Sequence, residues 1–195
     1  VSYSIYANSG SIARVRNQAV ATFLAGDYTD LFFIDADMGW NAEDFVRLLR
    51  YDTSVVGAAY PARTDKNARW IVVWPDEIKQ HEVGLLTARR AGTGFLRVRR
   101  DAIETLVEKH ADLKFNAPHG NTKENEFTYA LFDYVLHKNE DGTQGHLSED
   151  YAFCDRLTNA GFTIWIDPDV HMRHLGIKTW EGKFSDVVTV KQVNE

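Results

Sequence analysis

Leu31-Phe32-Phe33-Ile34-Asp35-Ala36-Asp37 is the stretch on which the reading of the fold turns. Four apolar residues in a row read as a strand covered on both faces. The run breaks straight into two aspartates one residue apart. In open α/β sheets ligands bind outside the carboxyl ends of the strands, which is where such a pair would stand. Two neighbouring carboxylates repel each other unless a cation or protons compensate. A divalent cation bridging to a diphosphate is the natural partner. The plainer reading is a pair of solvated turn aspartates that help to start the next helix.

Working outward, apolar runs alternate with helical patterns, which is the α/β signature. Residues 1–7 read as a short strand. Asn8-Ser9-Gly10-Ser11 reads as a turn able to cap a helix over residues 12–25, with Gly26 as its stop. Downstream of the aspartates, Asn41 is the expected cap of a helix reaching Arg50, with Trp40 and Phe45 placed as a hydrophobic staple. Residues 54–59 read as a buried strand that leaves through the loop Tyr60-Pro61-Ala62-Arg63. Residues 69–74 and 83–87 are expected to form a strand pair. Gly92-Thr93-Gly94 reads as a tight turn into a strand over 95–98 and a helix over 101–110. Periodicity fades over 111–145, apart from a short strand expected within 127–135, and a long irregular segment in a small domain is often a functional loop. A helix over 149–160 ends at Gly161, a last core strand covers 162–166, and residues 167–195 read as a tail. The expectation is a mostly parallel central sheet flanked by helices on both faces. A single domain is expected over 1–195, which the resemblance drawn below divides into a donor and metal half in 1–110 and an acceptor half and tail in 111–195.

Composition bounds the function. The chain has 195 residues and a net charge of −6, which speaks against nucleic-acid binding through a broad basic surface. No apolar run approaches the roughly 18 residues of a membrane span. Cys154 is the single cysteine, so no internal disulfide and no cysteine-only metal site can form, and a reducing, cytoplasmic setting is expected. The first residue is Val1, so the chain reads as a processed form or a fragment.

Three further groups of residues carry chemistry. On a helical wheel at about 100° per residue, Arg16 falls inside the apolar arc of Val15, Ala19, Val20 and Phe23, and Asn17 lies at its edge. An arginine on a buried face needs an anionic partner. That partner is either the aspartate site with a bound phosphate or a carboxylate in a purely structural pair. Ser148-Glu149-Asp150 opens a helix. Acidic residues in a first turn complement the helix dipole without further function, yet the placement also suits a general base delivered beside a substrate. His171 and His174 lie three apart in the tail, and isolated histidines of this kind are more often hydrogen-bonded than metal-bound. No Gly-x-Ser-x-Gly elbow and no phosphate-binding G-x-x-x-x-G-K-[ST] loop is present. Cys154 reads as packed within a helix and not as a reactive thiol.

Taken in order, these residues resemble the GT-A nucleotide-sugar glycosyltransferases of the family-2-like branch. Arg16-Asn17 is similar to the Arg-Asn pair of those enzymes, and residues 31–37 to their strand and DxD motif. VVGAAYPAR at 55–63, GTGFLRVRR at 92–100 and SEDYAFCDR at 148–156 resemble the later core segments. His174-Leu175-Gly176, with Trp180 and Gly182 following, resembles the late His-x-Gly segment. The resemblance implies a divalent cation, Mn2+ or Mg2+, held by Asp35, Asp37 and His174, with Asp37 the more direct ligand. It places Arg16, Asn17, Asp35 and Asp37 on a UDP- or GDP-sugar donor. It assigns Asp150, with Glu149, as the acid or base on the side of a glycan, lipid or protein acceptor. Family members begin with a further strand and helix before the Arg-Asn helix. Here only residues 1–7 precede the turn, and an open sheet edge of that kind would favour a homo-oligomer.

Alternatives share the same two aspartates. A sugar-nucleotide-binding module would bind the donor without turnover. A nucleotidyltransferase would make the activated sugar. A phosphotransferase of the haloacid-dehalogenase kind would want Thr or Val four residues after the first aspartate, where Gly39 stands. Acceptor specificity is expected in 111–145. Trp70, Trp74 and Trp180 are candidates for stacking on sugar rings, against the commoner role of buried packing.

Overall fold

Residues 1–6, 10–64, 69–116, 126–139 and 141–187 are described by the computed structural model. Two compact units divide the chain, each assembled from two stretches: Val1–Leu31 with Arg99–Phe162, and Phe32–Val98 with Thr163–Glu195.

The first unit is mainly helical. Helix α1 (Ile12–Leu24) starts at Ser11, whose hydroxyl accepts from the Arg14 amide. Helices α3 (Arg100–Lys109) and α4 (Glu149–Asn159) are the other α-helices of this unit among the described residues, and a 3-10 turn follows α3 at Ala111–Leu113. Val20 and Phe23 of α1, Ile103 and Leu106 of α3 and Phe153 and Leu157 of α4 are all buried, and α3 lies against both α1 and α4. The α4 helix stops where Gly161 takes φ +99°, a left-handed conformation that favours glycine. Arg100 closes the end of α1 by donating to the Phe23 and Gly26 carbonyls, at 3.1 and 2.6 Å. Where the sequence reads as irregular, the unit holds a hairpin, β8 (Val135–Lys138) against β9 (Gln144–Leu147). The strand expected within 127–135 reduces to one antiparallel bridge between Lys114 and Tyr129. Residues 1–6 are not in a strand, because their side chains are exposed and no ladder partner engages them. The expected end of that strand at Ala7, Asn8 and Ser9 of the turn, positions 117–125 of the loop and positions 188–195 of the tail lie outside the described residues.

The second unit holds the main sheet, in the order β1-β7-β3-β10-β5. Its strands are β1 (Asp30–Ile34), β3 (Val55–Gly57), β5 (Leu86–Ala88), β7 (Phe95–Arg99) and β10 (Ile164–Ile166). β10 runs parallel to β3, but β7 is antiparallel to β3 and β5 is antiparallel to β10. The sheet is mixed, which corrects the expectation of a mostly parallel one. The expected pairing of 69–74 with 83–87 is also corrected. β4 (Val72–Val73) pairs with β6 (Arg90–Ala91), which frees Leu86–Ala88 to add to the main sheet. β1 lies at the sheet edge and is half-buried, not covered on both faces. Helix α2 (Ala42–Arg50) packs its Leu48 into a core with Val56, Leu85, Phe95, Val170 and Met172. Trp40 and Phe45 form the expected staple, with ring centroids 5.5 Å apart. A second sheet, β12-β11-β2, joins β2 (Met38–Gly39), β11 (Met172–His174) and β12 (Trp180–Gly182). What reads as a tail in the sequence is thus partly strand. Phe184 ends it by stacking on Trp74, at 4.8 Å, and meeting the edge of Trp70. Trp70 and Trp74 therefore serve packing.

Candidate functional site

The register of the smaller sheet builds the site in the second unit. Strand β2 follows directly on Asp37 and lies antiparallel to β11, pairing Met38 with His174. The Leu175 amide donates to the Asp37 carbonyl at 2.8 Å and locks this end of the ladder. A histidine far downstream is thereby set beside the second aspartate, with His174 Nε2 3.6 Å from Asp37 Oδ2.

The imidazole is held from both sides. Its Nδ1 lies 2.8 Å from the Pro61 carbonyl. A carbonyl only accepts, so Nδ1 carries the proton, and in the neutral ring Nε2 presents its lone pair toward Asp37. Tyr60 meets the ring edge-to-face at 5.4 Å. Burial holds the His174 pKa below its ordinary value of 6.5, and the Arg63 guanidinium adds to the effect; the Pro61 bond and the charge of Asp35 act in the opposite direction. The ring is therefore neutral near pH 7. Two electron-pair donors, an imidazole nitrogen and a carboxylate oxygen, face each other, and the cation on the carboxylate is Arg63, whose Nη2 bonds Asp37 Oδ2.

Arg63 comes from the loop leaving β3. The Pro61–Trp70 bridge and the Ala62 amide on the Arg69 carbonyl shape that loop. Tyr60 organises the other flank. Its hydroxyl accepts from the Gly94 amide at 3.3 Å. A Cβ at Gly92 would stand 2.1 Å from that hydroxyl, so the glycines of Gly92-Thr93-Gly94 make room for Tyr60. Asp35 lies on the same flank. Its amide donates to the Gly94 carbonyl at 3.0 Å, and its Oδ2 would be 3.1 Å from a Cβ at Gly94. Among the described residues no three His, Cys, Asp or Glu side chains gather as a metal cage. The expected ligand trio of Asp35, Asp37 and His174 is thus reduced to a close pair, Asp37 and His174, with Asp35 turned to the Gly94 turn. An open concavity of about 500 Å³ lies along the small sheet, lined by Gly39, Arg173, Leu175, Thr179 and Glu181; Asp37 and His174 are not among its lining residues.

The remaining predicted residues lie in the first unit. Arg16 is buried and pairs with Glu149, Nη1 to Oε1 at 2.6 Å. Of the two readings of Arg16, this is the structural pair with a carboxylate. Asn17 clamps the chain at Phe132 in both directions, donating to its carbonyl at 2.8 Å and accepting from its amide at 2.9 Å. Glu149 also takes a hydrogen bond from Tyr134, and the negative charge of Glu149 is the main cause that raises the Tyr134 pKa. Its carboxylate is thus committed to partners. Asp150 is half-buried; its Oδ1 accepts from the Ser148 hydroxyl and from the Tyr151 amide. Ser148 spends its hydroxyl there and makes no capping bond to the helix. His171 stands 3.9 Å from Glu181 on the partner strand.

Sequence reading missed Arg63, Pro61 and Tyr60 as site residues. The available signal was their place in the loop at the end of a buried strand. It also missed a polar cluster beneath α2, where Asp167 accepts from Tyr51 at 2.9 Å and pairs with Arg47 at 2.8 Å. Burial and Asp167 together push the Tyr51 phenol up to about 12.

No family model and no curated protein matches the sequence. Among solved structures, the chain is similar to the crystal structure of A197 from STIV. The match covers 100% of this chain and 87% of that chain, at 16% identity and a TM-score of 0.54, and it speaks to the fold alone. These findings correct the resemblance to the GT-A glycosyltransferases. No model of that family matches, the structural likeness is to A197, and the sheets are small and mixed where a mostly parallel one was expected. No helix among the described residues is long and apolar enough to cross a membrane.

Proposed function

We propose that the chain binds a nucleotide-diphosphate sugar through its diphosphate and a divalent cation at Asp37 and His174, and transfers the sugar to an acceptor hydroxyl. The observation that carries this reading is the facing of a carboxylate and a neutral imidazole nitrogen at the carboxyl end of an apolar strand. The donor set fits a small divalent cation carried with phosphate. Mg2+ and Mn2+ are commonly held by one or two protein ligands, with substrate phosphates and water filling the other positions. A ligating histidine usually donates its other nitrogen to a backbone carbonyl, as His174 does to Pro61.

When bound, the cation would neutralise charge developing on the leaving diphosphate. The chain's own residues would do the rest. Asp37 and His174 fix the position, Arg63 adds positive charge next to it, and Asp35 closes the flank at Gly94.

The test is release of nucleoside diphosphate from a panel of UDP- and GDP-sugars with Mn2+, with and without glycan, lipid and peptide acceptors. Acceptor-stimulated release that is lost in Asp37→Asn supports the proposal. Donor binding with no turnover on any acceptor would make the chain a sugar-nucleotide-binding module instead.

A further inference from the structure

We propose that Arg63 is a charge placeholder: in the metal-free protein its guanidinium occupies the cation position at Asp37, and on metal loading it moves to the diphosphate. The inference rests on the cation site proposed at Asp37 and His174. Three observations and one property of the guanidinium carry it. Arg63 bonds the same oxygen, Asp37 Oδ2, that faces His174 Nε2, so guanidinium and metal would compete for the same carboxylate oxygen. The ion pair is open to solvent, with about two-fifths of each side chain exposed, so exchanging its partner costs little. The stem of Arg63 is nonetheless guided. A Cβ at Gly176 would stand 3.3 Å from Arg63 Cδ and 2.9 Å from the Trp180 ring, so the glycine leaves room for the stem beside the indole. Finally, an arginine displaced from a carboxylate keeps its fork of donors, which matches phosphate oxygens in the same way. A cation of fixed charge would then balance Asp37 in the empty protein and the diphosphate in the loaded one.

The idea separates metal affinity from phosphate affinity. Manganese binding is read by electron paramagnetic resonance on the full chain, and pyrophosphate binding by calorimetry at saturating Mn2+. Wild type, Arg63→Gln, Arg63→Lys and Asp37→Asn are compared. Arg63→Gln is expected to bind Mn2+ about three- to tenfold more tightly than wild type, because a competing charge is gone. The same variant should bind pyrophosphate about tenfold more weakly. Arg63→Lys keeps the charge without the fork, so its Mn2+ affinity should stay near wild type while pyrophosphate affinity falls. Equal or weaker Mn2+ binding in Arg63→Gln, with wild type and Asp37→Asn differing as expected, overturns the placeholder and leaves the metal site standing. Unchanged pyrophosphate affinity in Arg63→Gln likewise overturns it. Absence of Mn2+ binding in wild type and Arg63→Gln alike overturns both the placeholder and the site it rests on.

Discussion

Replacing Glu149 by glutamine should unfold the protein far more readily than its position at a helix start would suggest. Both side chains of the Arg16–Glu149 pair are less than a tenth exposed and their charged atoms lie 2.6 Å apart. Neutralising one partner takes the Glu149 charge away from a buried guanidinium, and breaking a buried pair in this way costs roughly 3–5 kcal/mol. Domain stability is typically about 5–15 kcal/mol, so the loss is a large fraction of the total. For a chain of this size it corresponds to a fall of roughly 6–20 °C in the melting midpoint. Removing both charges should be much milder. Arg16→Met with Glu149→Leu is expected within about 2 kcal/mol of wild type, since the desolvation of both ions is relieved together. Thermal and urea unfolding followed by circular dichroism read both quantities. A Glu149→Gln variant within about 1 kcal/mol of wild type would refute the burial argument. If that variant also lost sugar-nucleotide binding, Glu149 would belong to the ligand site and not to the scaffold.

Three more outcomes follow from the geometry. Gly92→Ala should destabilise by about 1–3 kcal/mol, because its Cβ would meet the Tyr60 hydroxyl, and Tyr60→Phe in the same chain should recover part of the loss; equal loss in single and double variants would contradict this. In a spectrophotometric titration one tyrosine should ionise late, near pH 12, and Tyr51→Phe should remove that late step and cost about 1–2 kcal/mol; a late step that persists in the variant would assign it elsewhere. His174, with its pKa lowered in the fold, should stay neutral by proton NMR at pH values where an ordinary histidine takes up its proton. The unfolded chain then binds the proton first. The stability contributed by the neutral ring is present above about 6.5 and is lost as pH falls from there through the folded value. A His174→Gln variant with the same pH profile would contradict that linkage.

Local patterns were legible in the sequence and pairings were not. The abrupt change from Ile34 to Asp35 marks a strand end, and the Trp40–Phe45 staple and the α4 stop at Gly161 follow from side-chain chemistry alone. Strand partners depend on distant segments. Nothing in residues 83–88 reveals that Leu86–Ala88 joins β10 and not β4. The β8–β9 hairpin escaped notice because its residues, Leu147 apart, alternate half-buried with exposed, a weak signal against the surrounding polar sequence. Arg16 stood out as an arginine in an apolar arc, but a wheel shows that a partner is needed without showing which one. The two aspartates looked equivalent in sequence. The turn at Gly94 takes Asp35 one way, and the β2–β11 register takes Asp37 to His174.

The cation-dependent diphosphate site proposed at Asp37 is decided by calorimetric titration of UDP and GDP into wild type and Asp37→Asn, each with and without Mn2+. One nucleotide is expected to bind wild type when Mn2+ is present and not without it, and Asp37→Asn is expected to abolish this binding while its melting midpoint without ligand stays close to wild type. Nucleotide binding that is indifferent to Mn2+, or equal in the two proteins, would contradict it.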